Sequence, residues 1–230
     1  MSKLRMTLNG RPVEVDAHES RYLSEVLRGE LGLKGTKIGC NEAESGICTV
    51  LVNGTPVSSC VFPAFKAHGA VVETIESLSA DGSLHPLQQA FLDQGAVQCG
   101  ICTPGMIMTA KALIDDKGAA LTEADIRTAL KDTYCRCTGY ASIVRAILQA
   151  ARGEVRDDSS PATAAAAVGR PLPNPNARAK IDGSARFTDD YEFPGMLYAR
   201  TKRAGVPHAR ILSIDTVAAR KLPGVHAVLT

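Results

Sequence analysis

The sequence predicts an α+β fold, because strand signals fill the first part of the chain and helix signals fill the next. Within residues 1–78, short alternating or valine-rich runs are separated by turn residues, and one helical pattern lies among them. Residues 84–153 carry helical patterns almost without interruption. A chain of 230 residues can hold one large or two small domains. We therefore expect a strand-rich domain over residues 1–78 and a helical domain over residues 79–155.

The strand-rich part begins with a predicted hairpin. The runs LRMTLN and PVEVD alternate on either side of Asn9-Gly10, a dipeptide typical of a tight two-residue turn. Helical spacing over residues 21–31 predicts one helix, with Ser20 as its N-cap and a glycine at its end. The segments CTVLVNG and AVVETIE then predict two further strands.

Four helices are predicted in the helical part. One begins near Pro86, a second follows Thr103-Pro104, a third follows Thr122 within the capping-box sequence TEAD, and a fourth follows Thr138 and ends near Gly153. Each start carries a residue that suits the first turn of a helix.

The rest of the chain contains two segments that differ in composition. Residues 156–178 are rich in Ala, Pro, Ser and Asn without an amphipathic period, which predicts an extended linker. Residues 179–230 contain the runs MLYART, ILSIDT and HAVLT, which predict strands.

Composition gives no sign of a nucleic-acid or membrane partner. The formal charge is +2 with acidic and basic residues interspersed, so the sequence favours neither nucleic acid nor a membrane surface as a partner. The first residues lack the apolar region of a signal peptide, and no apolar run reaches the roughly 20 residues that a bilayer span requires. We expect a cytoplasmic protein.

The seven cysteines are the main chemical signal. In a reducing compartment, an odd number of clustered cysteines indicates metal or redox chemistry and not a disulfide framework. The clusters are Cys40, Cys48 and Cys60, then Cys99 and Cys102, then Cys135 and Cys137.

The last two groups of cysteines together supply the four thiolates that an iron–sulfur cluster requires. They are the pair Cys99-x2-Cys102 and the pair Cys135-x-Cys137. Cys102 and Cys137 stand just before predicted helices, whose N-termini would stabilise an anionic cluster. A structural zinc site and simple core cysteines are the alternatives, although a C-x-C second pair is unusual for zinc.

The first cysteine cluster lacks one thiol. Seven residues separate Cys40 from Cys48, and with a cysteine in place of Ser45 the spacing would be the plant-type C-x4-C-x2-C pattern. A serine hydroxyl ionises far less readily than a thiol. We expect a second 2Fe-2S cluster here, more labile and with an altered reduction potential. An empty site is the alternative.

Three motifs carry a family resemblance. The segments GCNEAESGICTVLVNGTPVSSC, QCGICTPGMIM and CRCTGYASIVRAI resemble the iron–sulfur module of the molybdenum hydroxylases, the xanthine dehydrogenase and aldehyde oxidoreductase family. The resemblance covers residues 3–153. It implies a plant-ferredoxin-like β-grasp domain followed by a four-helix bundle, each with one 2Fe-2S cluster.

The resemblance also implies roles for individual residues. The bundle cysteines, Cys99, Cys102, Cys135 and Cys137, would bind the cluster nearer the molybdenum. Cys40, Cys48 and Cys60 would bind the outer cluster, and the family's remaining ferredoxin cysteine falls on Ser45. Gln98 and Cys137 match positions that lie against molybdopterin. The alternative for Gln98 is a polar residue at a helix end.

A second resemblance lies in residues 179–230, which are similar to the beginning of the molybdenum-binding large subunit of the same family. They would form an incomplete α/β segment of that subunit, with molybdopterin, molybdenum and the catalytic site in a partner chain. A flavin subunit carrying FAD is a further candidate partner. No flavin domain lies between the two resembling parts.

The two resemblances imply an oxidoreductase component that passes electrons from molybdopterin through 2Fe-2S clusters to a flavin or an external acceptor. One alternative is an assembly or docking subunit with an impaired outer cluster that completes the fold of the large subunit. Another is a free-standing electron carrier, against which residues 179–230 argue.

Overall fold

The computed structural model describes residues 2–79, 81–154 and 174–230. The chain divides into a compact unit that ends at Tyr191 and a second unit, Glu192–Thr230. The boundary predicted between residues 78 and 79 lies inside the first unit and stays a prediction. Over the described ranges, no helix combines the length and the apolar character needed to cross a membrane.

The first part of the chain forms a five-stranded mixed sheet with the order β2-β1-β5-β3-β4. Strands β1 and β5 are parallel, and the other neighbours are antiparallel. The strands are β1 (Ser2–Leu8), β2 (Arg11–Ala17), β3 (Thr49–Val52), β4 (Thr55–Ser58) and β5 (Val71–Glu73). The mixed α+β class predicted from the sequence is confirmed.

The predicted hairpin is confirmed, and one strand was missed. Asn9 and Gly10 have φ values of 49° and 78°, as the tight turn between β1 and β2 requires. Strand β4 contains Pro56 and gave no strand signal. It lies at the edge of the sheet. An edge strand has a neighbour on one side only, so it tolerates a proline, which has no N–H to donate.

Helix α1 (Leu23–Arg28) packs against the sheet, and its predicted N-cap is wrong. Tyr22 occupies the N-cap position in place of Ser20, because the Glu25 carboxylate accepts a hydrogen bond from the Tyr22 N–H at 2.8 Å. Gly29 ends the helix, as a glycine was expected to do. Leu23 and Leu27 are fully buried in the core beside the sheet.

The four predicted helices of the second part are present. They are α2 (Pro86–Asp93), α3 (Thr103–Lys117), α4 (Glu123–Ala129) and α5 (Ala141–Ala151). Thr122 caps α4 and exchanges hydrogen bonds with Asp125, which confirms the capping box. Helix α2 packs against α5, and α3 packs against β3. Short 3-10 helices span Ala64–Ala67, Ile75–Ser79, Gly118–Ala120 and Thr188–Asp190.

The sheet and the helices share part of one hydrophobic core. Leu51 and Ile75, which come from the strand-rich part, are buried together with Phe91, Met106 and other helical residues. The helical part therefore packs on the sheet through apolar side chains, and this packing fixes the loops that carry the cysteines.

Most of the predicted linker lies outside the described residues, and its described end is not extended. Helix α6 (Ala177–Ile181) begins before the predicted end at residue 178. Ala177 and Ile181 are buried in the core shared with the helices, and the Gln88 side chain donates a hydrogen bond to the Ile181 carbonyl at 3.3 Å. Burial of two apolar residues on one face explains a helix that composition alone did not predict.

The strands predicted in the last segment are wrong for the described residues. Within Glu192–Thr230 the only regular element is the short helix α7 (Val217–Arg220). Val, Ile and Leu runs become strands only when a neighbouring strand accepts their hydrogen bonds, and no ladder involves the described part of this unit. Large apolar side chains stay exposed there, among them Tyr198, Ile211, Leu212 and Leu229.

A buried ion-pair cluster holds the end of the first unit. The Asp190 carboxylate, only 2% exposed, accepts hydrogen bonds from Arg28 Nη2 at 2.6 Å and Lys37 Nζ at 3.0 Å. It also accepts one from the Phe187 N–H at 2.9 Å. Burial would raise the pKa of Asp190, but these three donors outweigh it and lower the pKa to about 2.

We predict that Asp190→Asn lowers the free energy of unfolding by ~3–5 kcal/mol, because the buried Lys37 and the partly buried Arg28 then lose their counter-charge. Since the carboxylate pKa is depressed in the folded state, this stabilisation is complete above pH ~4 and is lost as the pH falls toward the folded pKa. Urea unfolding at several pH values measures both effects. Asp189→Asn, at an exposed neighbour, is the control and should change stability by less than ~0.5 kcal/mol.

Candidate metal centre

The structure brings the four cysteines of the helical part together in two pairs. The Cys102 thiol interacts with the Cys135 thiol, and the Cys99 thiol interacts with the Cys137 thiol. Cys102 is buried and Cys135 is half-buried, whereas Cys99 and Cys137 are exposed. Each pair takes one cysteine from the α2–α3 loop and one from the α4–α5 loop. The site therefore has a buried side and an open side.

The protonation preferences of these thiols differ with their surroundings. Burial raises the pKa of Cys102, and the neighbouring Cys135 and Cys99 raise it further. Burial acts in the same direction on Cys135, but hydrogen bonds from Thr138 reverse the effect and lower its pKa. The Thr138 hydroxyl and N–H lie 3.1 and 3.4 Å from Cys135 Sγ. Thr138 therefore favours a thiolate at Cys135.

Only one of the two expected helix N-termini is at the site. Cys102 is the N-cap of α3, as predicted, but α5 begins at Ala141, so Cys137 does not adjoin it. Gly139 and Tyr140 intervene with φ values of 63° and 68° and turn the chain before the helix starts. The prediction for Cys137 is wrong because the sequence does not reveal this turn.

Tyr140 ties the turn to the cysteine loop. Its hydroxyl donates a hydrogen bond to the Thr133 carbonyl at 3.0 Å and accepts one from the Cys135 N–H at 2.9 Å. The left-handed conformation of a non-glycine residue is unfavourable, and these two bonds help to hold it. Sequence reasoning missed this role, although the tyrosine follows directly on the cysteine motif.

The three cysteines of the strand-rich part are also brought together. The Cys60 N–H donates a hydrogen bond to Cys48 Sγ at 3.4 Å, and the two thiols interact. Burial raises the pKa of Cys60 to about 11, and both Cys48 and Cys40 raise it as well. The Ser45 hydroxyl donates to Cys40 Sγ at 3.3 Å and lowers the pKa of Cys40 to about 7. Two pairs result, Cys48 with Cys60 and Cys40 with Ser45.

The loop around Cys40 presents N–H groups to sulfur. Asn41, Ala43 and Gly46 have φ values of 59°, 61° and 62°, so three of six consecutive residues adopt the left-handed region. The Glu42 N–H lies 3.4 Å from Cys40 Sγ, and the Ala43 backbone hydrogen-bonds Cys60. Such alternating conformations form a concave array of donors that suits an anion.

The two cysteine sites are in direct backbone contact. The Tyr134 N–H, one residue before Cys135, donates a hydrogen bond to the Ser45 carbonyl at 2.9 Å. A Cβ on Gly46 would lie 2.5 Å from the Asp132 carbonyl oxygen, and one on Gly105 would lie 2.4 Å from the Gly46 carbonyl oxygen. Glycine is therefore required at both positions, since any side chain would separate the loops.

Gln98 lies in the α2–α3 loop, exposed and next to Cys99. Its carbonyl accepts a hydrogen bond from Lys180 Nζ at 2.8 Å. The Lys180 stem crosses Gly100, where an added Cβ would be 2.7 Å from it. Sequence reasoning did not identify Lys180, because it lies 82 residues from Gln98 and carries no local signal.

The donor sets fit a binuclear cluster. Within the described residues, no three His, Cys, Asp or Glu side chains form a group that could hold one metal ion. A 2Fe-2S cluster instead takes four protein ligands, two on each iron. Paired thiols from two loops, one beside a helix N-terminus, provide donors of that kind.

Comparisons with known proteins agree with this chemistry. A family model described as the 2Fe-2S binding domain matches residues 74–148, and one described as the aldehyde oxidase and xanthine dehydrogenase a/b hammerhead domain matches residues 182–230. The chain is 44% identical over 146 residues to the xanthine dehydrogenase iron-sulfur-binding subunit of Escherichia coli O157:H7. The matched stretch covers 63% of this chain and 91% of that protein.

Longer proteins match nearly the whole chain. Aldehyde oxidoreductase of Megalodesulfovibrio gigas is 38% identical over 98% of this chain, which spans only 26% of that protein. The crystal structure of the aldehyde oxidoreductase from Desulfovibrio desulfuricans ATCC 27774 matches with a TM-score of 0.83 and 38% identity, over 100% of this chain and 27% of that one.

We predict that Tyr140→Phe loosens the Cys135 loop, because the Thr133 carbonyl and the Cys135 N–H lose their shared partner. Leaving buried polar groups unpaired costs about 1–3 kcal/mol. The free energy of unfolding and the hydrogen-exchange protection of the Cys135 amide should both fall. Tyr134→Phe, at an exposed tyrosine one residue from the same cysteine, is the control. Equal effects of the two variants would contradict the role given to the Tyr140 hydroxyl.

Proposed function

Because this chain belongs to the molybdenum hydroxylase family as its iron–sulfur, electron-transferring component, we propose that it holds two 2Fe-2S clusters in series. In this proposal, electrons enter from molybdopterin in a partner chain and leave toward a flavin subunit or an external acceptor. The observation that carries it is the direct contact of two cysteine sites through the Tyr134–Ser45 hydrogen bond.

The fold assignment is part of the proposal. The mixed five-stranded sheet with α1 corresponds to a plant-ferredoxin-like β-grasp domain, and α2 to α5 correspond to a four-helix bundle. The parallel pairing of β1 with β5, flanked by antiparallel hairpins, supports the first assignment. The packing of α2 on α5 and of α4 on both α3 and α5 supports the second.

The ligand assignment follows the two groups of thiols. The inner site uses Cys99, Cys102, Cys135 and Cys137, and the outer site uses Cys40, Cys48 and Cys60. A bound 2Fe-2S cluster supplies one-electron chemistry. The chain supplies thiolates, N–H groups directed at sulfur, and partial burial, all of which help to set the reduction potential.

The difference in burial suggests the direction of transfer. The exposed pair, Cys99 and Cys137, lies beside Gln98 and is open to a partner surface. The buried side contains Cys135, which directly follows the residue that bonds Ser45 of the outer loop. We assign the exposed pair and Gln98 to the molybdopterin side, and the buried pair to the side of the outer cluster.

The partner is a molybdopterin-binding large subunit. Its beginning corresponds to residues 182–230, which match the hammerhead family model. The exposed apolar residues of Glu192–Thr230 fit a segment that packs on further protein. A flavin subunit carrying FAD and a cytoplasmic location belong to the same proposal.

The rival function, docking or assembly without electron transfer, predicts a chain without reducible clusters. Iron and sulfide analysis of the anaerobically purified chain, with EPR after reduction, separates the two. A colourless protein without a reduced-cluster signal would contradict electron transfer.

We predict that Cys137→Ala reduces activity of the assembled enzyme with an artificial acceptor far more than Cys40→Ala does. Cys137 is assigned both to the inner cluster and to the molybdopterin side, so every electron passes it. EPR of the reduced variants should show loss of the inner signal in the first and of the outer signal in the second. Equal losses of activity would contradict the proposed order of the clusters.

A further inference from the structure

We propose that the Ser45 hydroxyl oxygen is the fourth protein ligand of the outer site and binds the same iron as Cys40. This inference rests on the proposed function, since it requires a cluster at the outer site. It assigns a metal-binding role to a residue that departs from the four-cysteine pattern.

The pairing of donors carries the proposal. Of the four pairs identified among the described residues, three consist of two interacting thiols: Cys102 with Cys135, Cys99 with Cys137, and Cys48 with Cys60. The fourth pair joins Cys40 to Ser45, with Oγ 3.3 Å from Sγ. Because each iron takes two protein donors, the partner that Cys40 needs is the group already beside it.

The surrounding backbone keeps Ser45 in that position. Ser45 is 8% exposed, and its carbonyl accepts the Tyr134 N–H at 2.9 Å. A Cβ on Gly39 would lie 3.0 Å from Ser45 Oγ and 2.7 Å from Ile47 Cδ1, so the loop is closed tightly around the hydroxyl. The nearby carboxylates of Glu42 and Glu44 belong to exposed residues. Ser45 is thus the buried oxygen donor of this loop.

The loop also has a conformation suited to binding an anionic group. Asn41 and Ala43 are not glycines, yet both lie in the left-handed region, which is unfavourable above all for the alanine. The resulting N–H groups reach Cys40 and Cys60. A loop that had lost its cluster with the thiol would have no need of this strained arrangement.

Coordination by serine requires no change of oxidation state. The O–H bond of Ser45 breaks, the proton passes to solvent, and a bond forms between Oγ and iron. An alkoxide is a harder donor than a thiolate and favours the ferric over the ferrous state. The outer cluster should therefore have a lower reduction potential than its all-thiolate counterpart.

The test uses the anaerobically purified full chain, enriched in iron-57, in four forms: wild type, Ser45→Cys, Ser45→Ala and Ser59→Ala. Ser59 is the matched control, a fully buried serine beside Cys60 whose hydroxyl donates to the Cys48 carbonyl at 2.6 Å. The readouts are iron per chain, EPR of the reduced protein, Mössbauer spectra and the potential of each cluster.

We expect about four irons and two EPR signals in wild type and in Ser59→Ala, since each cluster contains two irons. The Mössbauer spectrum of the outer cluster should show two different ferric sites in wild type and two nearly equal ones in Ser45→Cys. Ser45→Cys should raise the potential of the outer cluster alone. Ser45→Ala should lose the outer signal and fall to about two irons.

Other outcomes separate the two proposals. An outer cluster that is unchanged in Ser45→Ala would show that water or another residue completes the site, and the role of Ser45 would be wrong. Wild type with two irons and only the inner signal would also overturn it, while the inner cluster of the proposed function would stand. A chain with neither signal in wild type and in Ser45→Cys would overturn the proposed function itself.

Discussion

The close contact between two cysteine loops is the constraint on which the rest of this structure depends. The Tyr134 N–H reaches the Ser45 carbonyl at 2.9 Å, and Gly46 and Gly105 leave no space for a side chain between the strand-rich and helical parts. Electron transfer between clusters weakens with separation, so a scaffold for it must hold its sites near each other. Leu51 and Ile75 are buried in one core with residues of the helices, and this packing holds the two parts together.

Charged side chains add contacts to those made by apolar packing. Asp190 joins Arg28 and Lys37 in a buried cluster, and Lys180 spans Gly100 to reach the Gln98 carbonyl. Both contacts attach residues 174–191 to the cysteine-bearing part of the same unit. A residue far along the chain thereby contacts the loop of Cys99, and residues 174–191 lie in the same compact unit as the cysteines.

The burial of the four helical-part cysteines gives that site two distinct sides. Cys99 and Cys137 are exposed, whereas Cys102 is buried and the half-buried Cys135 follows the residue that bonds the outer loop. The outer cysteines repeat the paired arrangement in part: Cys48 interacts with Cys60, and Cys40 lies beside the Ser45 hydroxyl. With Ser45 as the proposed fourth ligand, the site would differ from a four-cysteine site by one atom, and the consequence would be confined to the potential and lability of one cluster.

The sequence alone determined which donors this protein has and which elements carry them: the hairpin at Asn9-Gly10, the helix starts at Pro86 and Thr122, and seven cysteines in three clusters. These follow from local turn and capping chemistry and from residue identity. Only the tertiary structure decided which thiols pair, because pairing depends on how distant loops meet. The same reason explains why α6 and Lys180 were missed, and why the runs after Glu192 are not strands: a strand requires a partner, and periodicity cannot supply one.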